Sequence, residues 1–168
     1  MDDEGYSGID GRTTIFDYWT LDTIRHGYYD RRKLTVAQRR LVRSYQQILS
    51  IATREETIAQ GDMFDLMYVN PQLQQHQFVF LRKFGDQLLI VVANFSDESI
   101  QTHVNIPAHA FQFLSIPQSL TTAVDLLSNQ QINIELKPDI PIQLSLPPLS
   151  GRVYKIILRY AGVSPATG

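Results

Sequence analysis

The chain has 168 residues with 15 basic and 17 acidic side chains, so its net charge of -2 gives no long-range attraction to nucleic acid or an anionic membrane. Its hydrophobic fraction of 43% and charged fraction of 19% are typical of a globular protein with a packed core. The lack of cysteine excludes disulfides and thiolate metal sites, and no apolar run approaches the roughly 20 residues of a membrane-spanning helix.

An irregular but apolar stretch comes first. Residues 12–33 show no helical or strand period, yet they carry eight large apolar side chains: Ile15, Phe16, Tyr18, Trp19, Leu21, Ile24, Tyr28 and Tyr29. Because an exposed tail rarely holds so many such groups, we expect this stretch to pack onto another surface.

One long amphipathic helix is predicted next. Thr35 can cap its first turn, and Gln38 can reach back to the Thr35 amide, the reciprocal pairing of a capping box. Apolar side chains then recur at steps of three and four residues, at Leu34, Ala37, Leu41, Tyr45, Ile48 and Ala52. This face needs a partner surface, whereas Arg39, Arg40 and Arg43 suit a solvated face.

After Gly61 the spacing of the apolar residues changes from a helical repeat to the alternation of a strand, with a period of two residues. Gly85-Asp86 is a two-residue hairpin signal, and the apolar run at residues 88–93 predicts a central strand covered on both faces. Alternating segments at residues 100–106, 132–136 and 140–146 and a last strand at 153–158 follow. The fold class predicted is mainly β: an antiparallel β-sandwich of seven to eight strands, preceded by an irregular loop and one long amphipathic α-helix.

The phenylalanines of this region also follow a pattern. Phe78, Phe80, Phe111 and Phe113 alternate along the chain, so we expect them in the core of the sandwich.

Chemistry-bearing residues do not assemble into a complete active site. The four histidines lie on different segments without metal-ligand spacing, and the carboxylates fall on turns and outward strand positions. Neither a phosphate-binding glycine loop nor a nucleophile elbow is present. We therefore predict no metal, no cofactor and no catalytic residue. Asp17 beside Tyr18 and Trp19 is the exception of interest, since a carboxylate can hold sugar hydroxyls while an aromatic ring packs on the sugar's C–H face.

Three segments, in this order, carry a family resemblance. Residues 10–19 read Asp-Gly-Arg-Thr-Thr-Ile-Phe-Asp-Tyr-Trp, residues 34–38 read Leu-Thr-Val-Ala-Gln, and β-rich motifs follow at 61–64, 78–82, 89–96 and 149–156. Together they resemble the C-terminal part of α-amylase-family glycoside hydrolases. The first is similar to the loop after the eighth strand of their (β/α)8 barrel, the second to the final barrel helix, and the third to the C-terminal β-sandwich.

The resemblance implies a division of the chain. Residues 1–60 would be a barrel remnant, residues 61–160 the C-terminal sandwich, and residues 161–168 a flexible tail. The family's Arg-x-Asp nucleophile, its acid/base glutamate and its Asn-His-Asp motif all precede the matching segment. The implied role is therefore a non-catalytic accessory part that stabilises the barrel of the same polypeptide.

The same resemblance suggests partners and contacts. The parent would hydrolyse or transfer α-1,4-linked glucans, in either the cytoplasm or an exported compartment. Asp17, Tyr18 and Trp19 would be substrate-side contacts because that loop maps onto the catalytic face of the barrel. The interface with the missing barrel would be formed by Leu41, Tyr45, Ile48 and Ala52.

Two other readings stay open. A free-standing carbohydrate-binding module would present a flat row of exposed aromatics on the sandwich. A protein-interaction sandwich would form a homo-oligomer through the helix face at Leu41, Tyr45 and Ile48.

Overall fold

A computed structural model describes residues 35–73 and 75–160, which form two helices followed mainly by strands. In chain order they are α1 (Val36–Arg54), α2 (Glu56–Gln60), β1 (Asp62–Asp65), two 3₁₀ turns (Met67–Val69 and Pro71–Leu73), β2 (Gln77–Phe84), β3 (Gln87–Asn94), β4 (Ile100–Val104), α3 (Ala108–Phe113), β5 (Ser119–Asp125), β6 (Gln131–Leu136), β7 (Ile142–Leu146) and β8 (Ser150–Ile157). The chain divides into two compact units, Met1–Ser50 and Ile51–Gly168. None of the described helices is long and apolar enough to cross a membrane.

The start of α1 has the predicted capping box. The Gln38 amide donates to Thr35 Oγ1 at 3.2 Å, and the Thr35 amide donates to Gln38 Oε1 at 2.9 Å. Two amide donors that the first helical turn leaves without backbone partners are thereby satisfied. The predicted start of the helix is confirmed.

The strands form two antiparallel sheets. The larger has the order β1-β2-β3-β8-β5-β6, and β4 pairs with β7 in the smaller. The antiparallel β-sandwich predicted from the sequence is confirmed. The hairpin between β2 and β3 turns at Gly85, whose φ of 57° lies in the left-handed region that favours glycine. The apolar run 88–93 is central, since β3 pairs with β2 on one side and β8 on the other.

The core lies on one side of the six-stranded sheet, against β4 and β7. Its largest fully buried members include Leu66, Leu81, Leu88, Ile90, Leu136, Leu146 and Ile156. Burial of each such side chain contributes about 1.5–3 kcal/mol relative to exposure, so this cluster is the main source of stability.

The expectation that four phenylalanines share the core is wrong for three of them. Phe78 is exposed and Phe80 is half-buried outside the core, because their strand positions point away from it. Phe111 and Phe113 lie on α3 rather than on a strand, so a spacing of two residues puts them on different helix faces. Phe111 is buried as expected, whereas Phe113 is exposed.

Candidate docking surface

The side of the six-stranded sheet away from the core carries large apolar side chains among polar ones. Residues opposite each other in an antiparallel pair share a face, and Phe80, Val91 and Val153 lie in one such row across β2, β3 and β8. We call this side the outer face and define it by Phe78, Phe80, Phe84, Val91, Leu120 and Ile157. An antiparallel sheet that meets water on one side normally carries polar residues there.

Two of these side chains are strongly exposed. The exposed fraction is 83% for Leu120 and 48% for Ile157. Exposed apolar side chains of this size make the outer face a candidate contact surface.

Helix α2 covers one row of the outer face and is held there by polar contacts. Arg82 donates through Nε to the Thr57 carbonyl at 3.1 Å and through Nη2 to the Gly61 carbonyl at 2.7 Å. The Gly61 carbonyl follows the last residue of α2, where a cation is favourable, whereas Thr57 is the second residue of this helix. Lys155, in register with Leu89, pairs with Glu55 at 2.6 Å, and Leu89 is fully buried.

Gly61 is required where α2 meets β1. A Cβ added there would lie 2.3 Å from the Thr57 carbonyl oxygen and 3.0 Å from the Lys83 carbonyl oxygen. The close approach of backbone to backbone therefore explains the glycine, although its φ of -71° is ordinary.

A cleft opens in the outer face between β5 and β8. These strands pair only at Val124↔Lys155 and Asp125↔Tyr154 and then diverge. The resulting open concavity of about 670 Å³ is lined by Leu120 and Ile157, with Arg159 also contributing. Its apolar walls and cationic rim suit an apolar side chain that has an acidic neighbour.

A buried carboxylate fixes the closed end of this cleft. Asp125 is 1% exposed and accepts hydrogen bonds from the Val153 amide at 3.1 Å, from the Leu127 amide at 3.2 Å and from Arg152 Nη1 at 3.2 Å. Because these donors surround it and join β5 to β8, its role is structural. Burial raises the pKa of the adjacent Tyr154 phenol, an effect that Arg152 partly offsets and Asp125 reinforces.

The predicted helix interface lies on one side of α1. Leu41, Tyr45 and Ile48 are spaced by four and three residues, and each is more than half exposed. Ala52, one turn further on, is half-buried. The proposed role of these four residues as an interface stays a prediction.

The predicted sugar contacts Asp17, Tyr18 and Trp19 lie outside the described residues. Across 35–73 and 75–160, no group of three or more histidine and carboxylate side chains could hold a metal ion.

The outer-face residues were not identified from the sequence. Ile157 stands in the short apolar segment of the predicted last strand, and Leu120 stands in a segment that shows no clear strand period. The one signal was the continuous apolar run at 88–93, which requires cover on both faces of β3.

The fold matches segments of solved α-amylase-family enzymes. The structure of AmyP in complex with maltose matches with a TM-score of 0.55 and 15% identity, over 81% of this chain and 23% of that chain. An α-amylase from Geobacillus thermoleovorans, complexed with acarbose, matches with a TM-score of 0.50 and 16% identity, over 69% and 22%. A noncanonic maltogenic α-amylase, AmyB from Thermotoga neapolitana, matches with a TM-score of 0.50 and 8% identity, over 68% and 25%.

These matches confirm the resemblance to the α-amylase family at the level of fold. The chain spans about a quarter of the length of these solved structures, between 22% and 25%. No protein-family model matches the sequence, and no curated protein matches it.

Proposed function

We propose that this chain is the non-catalytic C-terminal accessory part of an α-amylase-family enzyme, and that its outer face docks on the catalytic barrel of the same polypeptide. The parent hydrolyses or transfers α-1,4-glucans. In this proposal residues 1–60 are the barrel remnant, residues 61–160 the accessory sandwich, and residues 161–168 a flexible tail. The observation that supports it is the exposed apolar residues on the outer face of the sheet, in a fold that matches segments of such enzymes.

The energetics favour a covered outer face. Full burial of one large apolar side chain contributes about 1.5–3 kcal/mol. Leu120 and Ile157 are exposed in the isolated chain, so burying them on docking would contribute much of this free energy. The β5–β8 cleft would receive a side chain of the barrel, which gives the contact a fixed register.

The exposed stripe of α1 is proposed as a second contact with the barrel. Leu41, Tyr45, Ile48 and Ala52 supply an apolar line of about three turns. A second copy of the chain is the competing occupant. Sedimentation of the isolated chain separates the two, since a monomer unchanged by Leu41→Glu excludes a homo-oligomer through this stripe.

The loop residues Asp17, Tyr18 and Trp19 are proposed as glucan contacts that act together with the barrel. Trp19→Ala is then expected to raise KM of the whole enzyme. In the isolated chain the same substitution should leave glucan binding unchanged.

The catalytic part of the proposal has a direct test. Purified chain incubated with soluble starch or maltoheptaose should release no reducing sugar, because the family's catalytic motifs have no counterpart here. Sugar release that co-purifies with the chain through several columns would refute the non-catalytic role.

The docking part requires a matched pair of variants. Leu120→Asp places a charge on the outer face, whereas Phe95→Asp places one on an exposed aromatic position in the turn after β3. With the separately produced barrel of the parent enzyme, Leu120→Asp should weaken association by about tenfold or more, as expected for loss of one buried anchor. Equal association of both variants would exclude the outer face as the docking surface.

A free-standing carbohydrate-binding module is the competing function. It is favoured by the exposed rings of Tyr68 and Phe113. That function predicts glucan binding by the chain with no affinity for a barrel, so the same association measurement decides between the two.

A further inference from the structure

Helix α1 carries a compact group of arginines. Arg39, Arg40 and Arg43 lie on one side of this helix, because residues three and four apart are neighbours on a helix surface. Arg40 and Arg43 are exposed, and Arg39 is half-buried. Together with Val36 they line a concavity of about 320 Å³. We call the three arginines the basic cluster.

Positive charge is concentrated around α1, although the chain as a whole is slightly acidic. Residues 31–54 include no acidic side chain, and all 17 acidic residues lie elsewhere in the sequence. The same segment holds seven of the 15 basic residues: Arg31, Arg32, Lys33, Arg39, Arg40, Arg43 and Arg54. The net charge of the chain therefore conceals a local positive potential, which attracts anions to this helix.

Helix stability does not explain the basic cluster. Arg43 is four residues after Arg39 and three after Arg40, and like charges at these spacings destabilise a helix. A charged face that only keeps a helix solvated commonly alternates bases with acids, but α1 has no acidic residue. Among the residues that the structure describes, no acidic side chain pairs with any of these three guanidinium groups. A bound anion would relieve their mutual repulsion.

The contact proposed for α1 does not use the basic cluster either. Arg43 is two residues after Leu41 and two before Tyr45, and a step of two residues turns about 200° around a helix. The arginines therefore lie on the opposite side of α1 from the exposed apolar stripe. Docking of that stripe on a barrel would leave the basic cluster accessible to a ligand.

The chemistry and size of the basic cluster favour a phosphoryl group. All three residues are arginine rather than lysine, and the planar guanidinium forms paired hydrogen bonds to phosphate oxygens. A phosphomonoester has roughly two negative charges and three acceptor oxygens, whereas a carboxylate has one charge and two oxygens. Residues 39–43 span about 6 Å of the helix axis, which suits one phosphoryl group better than the row of phosphates in a nucleic acid.

We propose that the basic cluster binds a phosphoryl group that is carried by a sugar. The sugar part rests on the proposed function, in which the parent enzyme acts on glucans. The concavity of about 320 Å³ has room for the phosphoryl group and the sugar ring attached to it. Val36, which is 70% exposed at the edge of the cluster, offers an apolar contact to the C–H groups of that ring.

The test is isothermal titration calorimetry of the 168-residue chain at low ionic strength, because salt screens an exposed charged site. The probes are glucose 6-phosphate, inorganic phosphate and glucose. Glucose 6-phosphate should bind, and glucose at the same concentration should not. Arg39→Gln and Arg43→Gln should each weaken binding by about tenfold, as expected for loss of one charge-assisted contact. Glutamine is a good helix former, so α1 should keep its circular dichroism signal in both variants.

Two control variants separate a site from an effect of net charge. Lys137→Gln removes the same charge at an exposed position just after β6 and should bind glucose 6-phosphate as the wild type does. Arg43→Lys keeps the charge but loses the planar group, so its affinity should lie between those of the wild type and Arg43→Gln.

Distinct results would contradict each part of the proposal. Failure of both phosphate probes to bind, or equal weakening in Lys137→Gln and Arg43→Gln, would overturn the site. Inorganic phosphate that binds as tightly as glucose 6-phosphate would overturn the sugar part and identify free phosphate as the ligand. An oligonucleotide without terminal phosphates that binds far more tightly through the same arginines would replace the phosphoryl site with a nucleic-acid surface. These titrations need no barrel, so their failure is separate from that of the association measured with Leu120→Asp.

Discussion

Asn94 should be among the most costly polar side chains of the sandwich to remove. It is 2% exposed at the end of β3. Its Nδ2 donates to the Glu98 carbonyl at 2.9 Å and to the Pro147 carbonyl at 2.8 Å, and its Oδ1 accepts from Gln77 Nε2 at 2.9 Å and from the Ser96 amide at 3.1 Å. One side chain therefore joins β2, the turn after β3 and the turn before β8.

The expected cost of Asn94→Ala follows from these four bonds. Each contributes about 0.5–1.5 kcal/mol net, and some partners would regain water, so we expect the free energy of unfolding to fall by about 2–4 kcal/mol. Urea unfolding followed by circular dichroism measures this, with an unchanged m-value showing that only stability has altered.

Asn133→Ala is the matched control for this substitution. Asn133 is exposed and makes one side-chain bond, to Thr122 Oγ1 at 3.0 Å, so its removal should change stability by no more than about 0.5 kcal/mol. If Asn94→Ala lowers the free energy of unfolding by less than about 1 kcal/mol, or by no more than the control does, the four hydrogen bonds of Asn94 do not stabilise the sandwich as reasoned here.

Three further predictions concern the frame of the docking surface. Gly61→Ala should lower the free energy of unfolding by about 2–4 kcal/mol, because the new Cβ meets the Thr57 carbonyl. Gly85→Ala is the control: its backbone is strained but its Cβ lies in open space, so it should cost about 1 kcal/mol. Thermal unfolding of both variants measures the difference. Asp125→Ala should cost about 3–5 kcal/mol, since the amides and guanidinium around it lose their acceptor; a cost under 1 kcal/mol in urea unfolding would contradict this. The raised pKa of Tyr154 predicts stability that is fully present below the unfolded value of about 10 and lost as pH rises through the folded pKa, so Tyr154→Phe should flatten the decline measured between about pH 9 and 11.

Features set by local chemistry were predictable from the sequence. The capping box at Thr35 and Gln38 depends on two side chains three residues apart, and the hairpin at Gly85 depends on one backbone conformation. The alternation in β6 was equally clear, because Asn133 and Glu135 stand between apolar neighbours.

Features set by tertiary context were not predictable in the same way. Strand β5 was missed because its most apolar outward residue, Leu120, breaks the expected alternation, and threonines on both faces hide the period. Helix α3 has six residues, too few to show a helical repeat, so Phe113 looked like a core position. The outer face was not predicted because its exposed apolar residues are of the same types as those that fill a core.

The place of β8 in the larger sheet has a consequence for synthesis of the protein. This strand is the last described strand in the chain, yet it lies in the middle of the sheet, between β3 and β5. Until residues 150–157 leave the ribosome, the β5–β6 hairpin has no strand that links it to β1–β3, and the two halves stay separate. Completion of the sheet is therefore a late, long-range event, and a nascent chain that stalls before β8 exposes two unpaired strand edges to its neighbours.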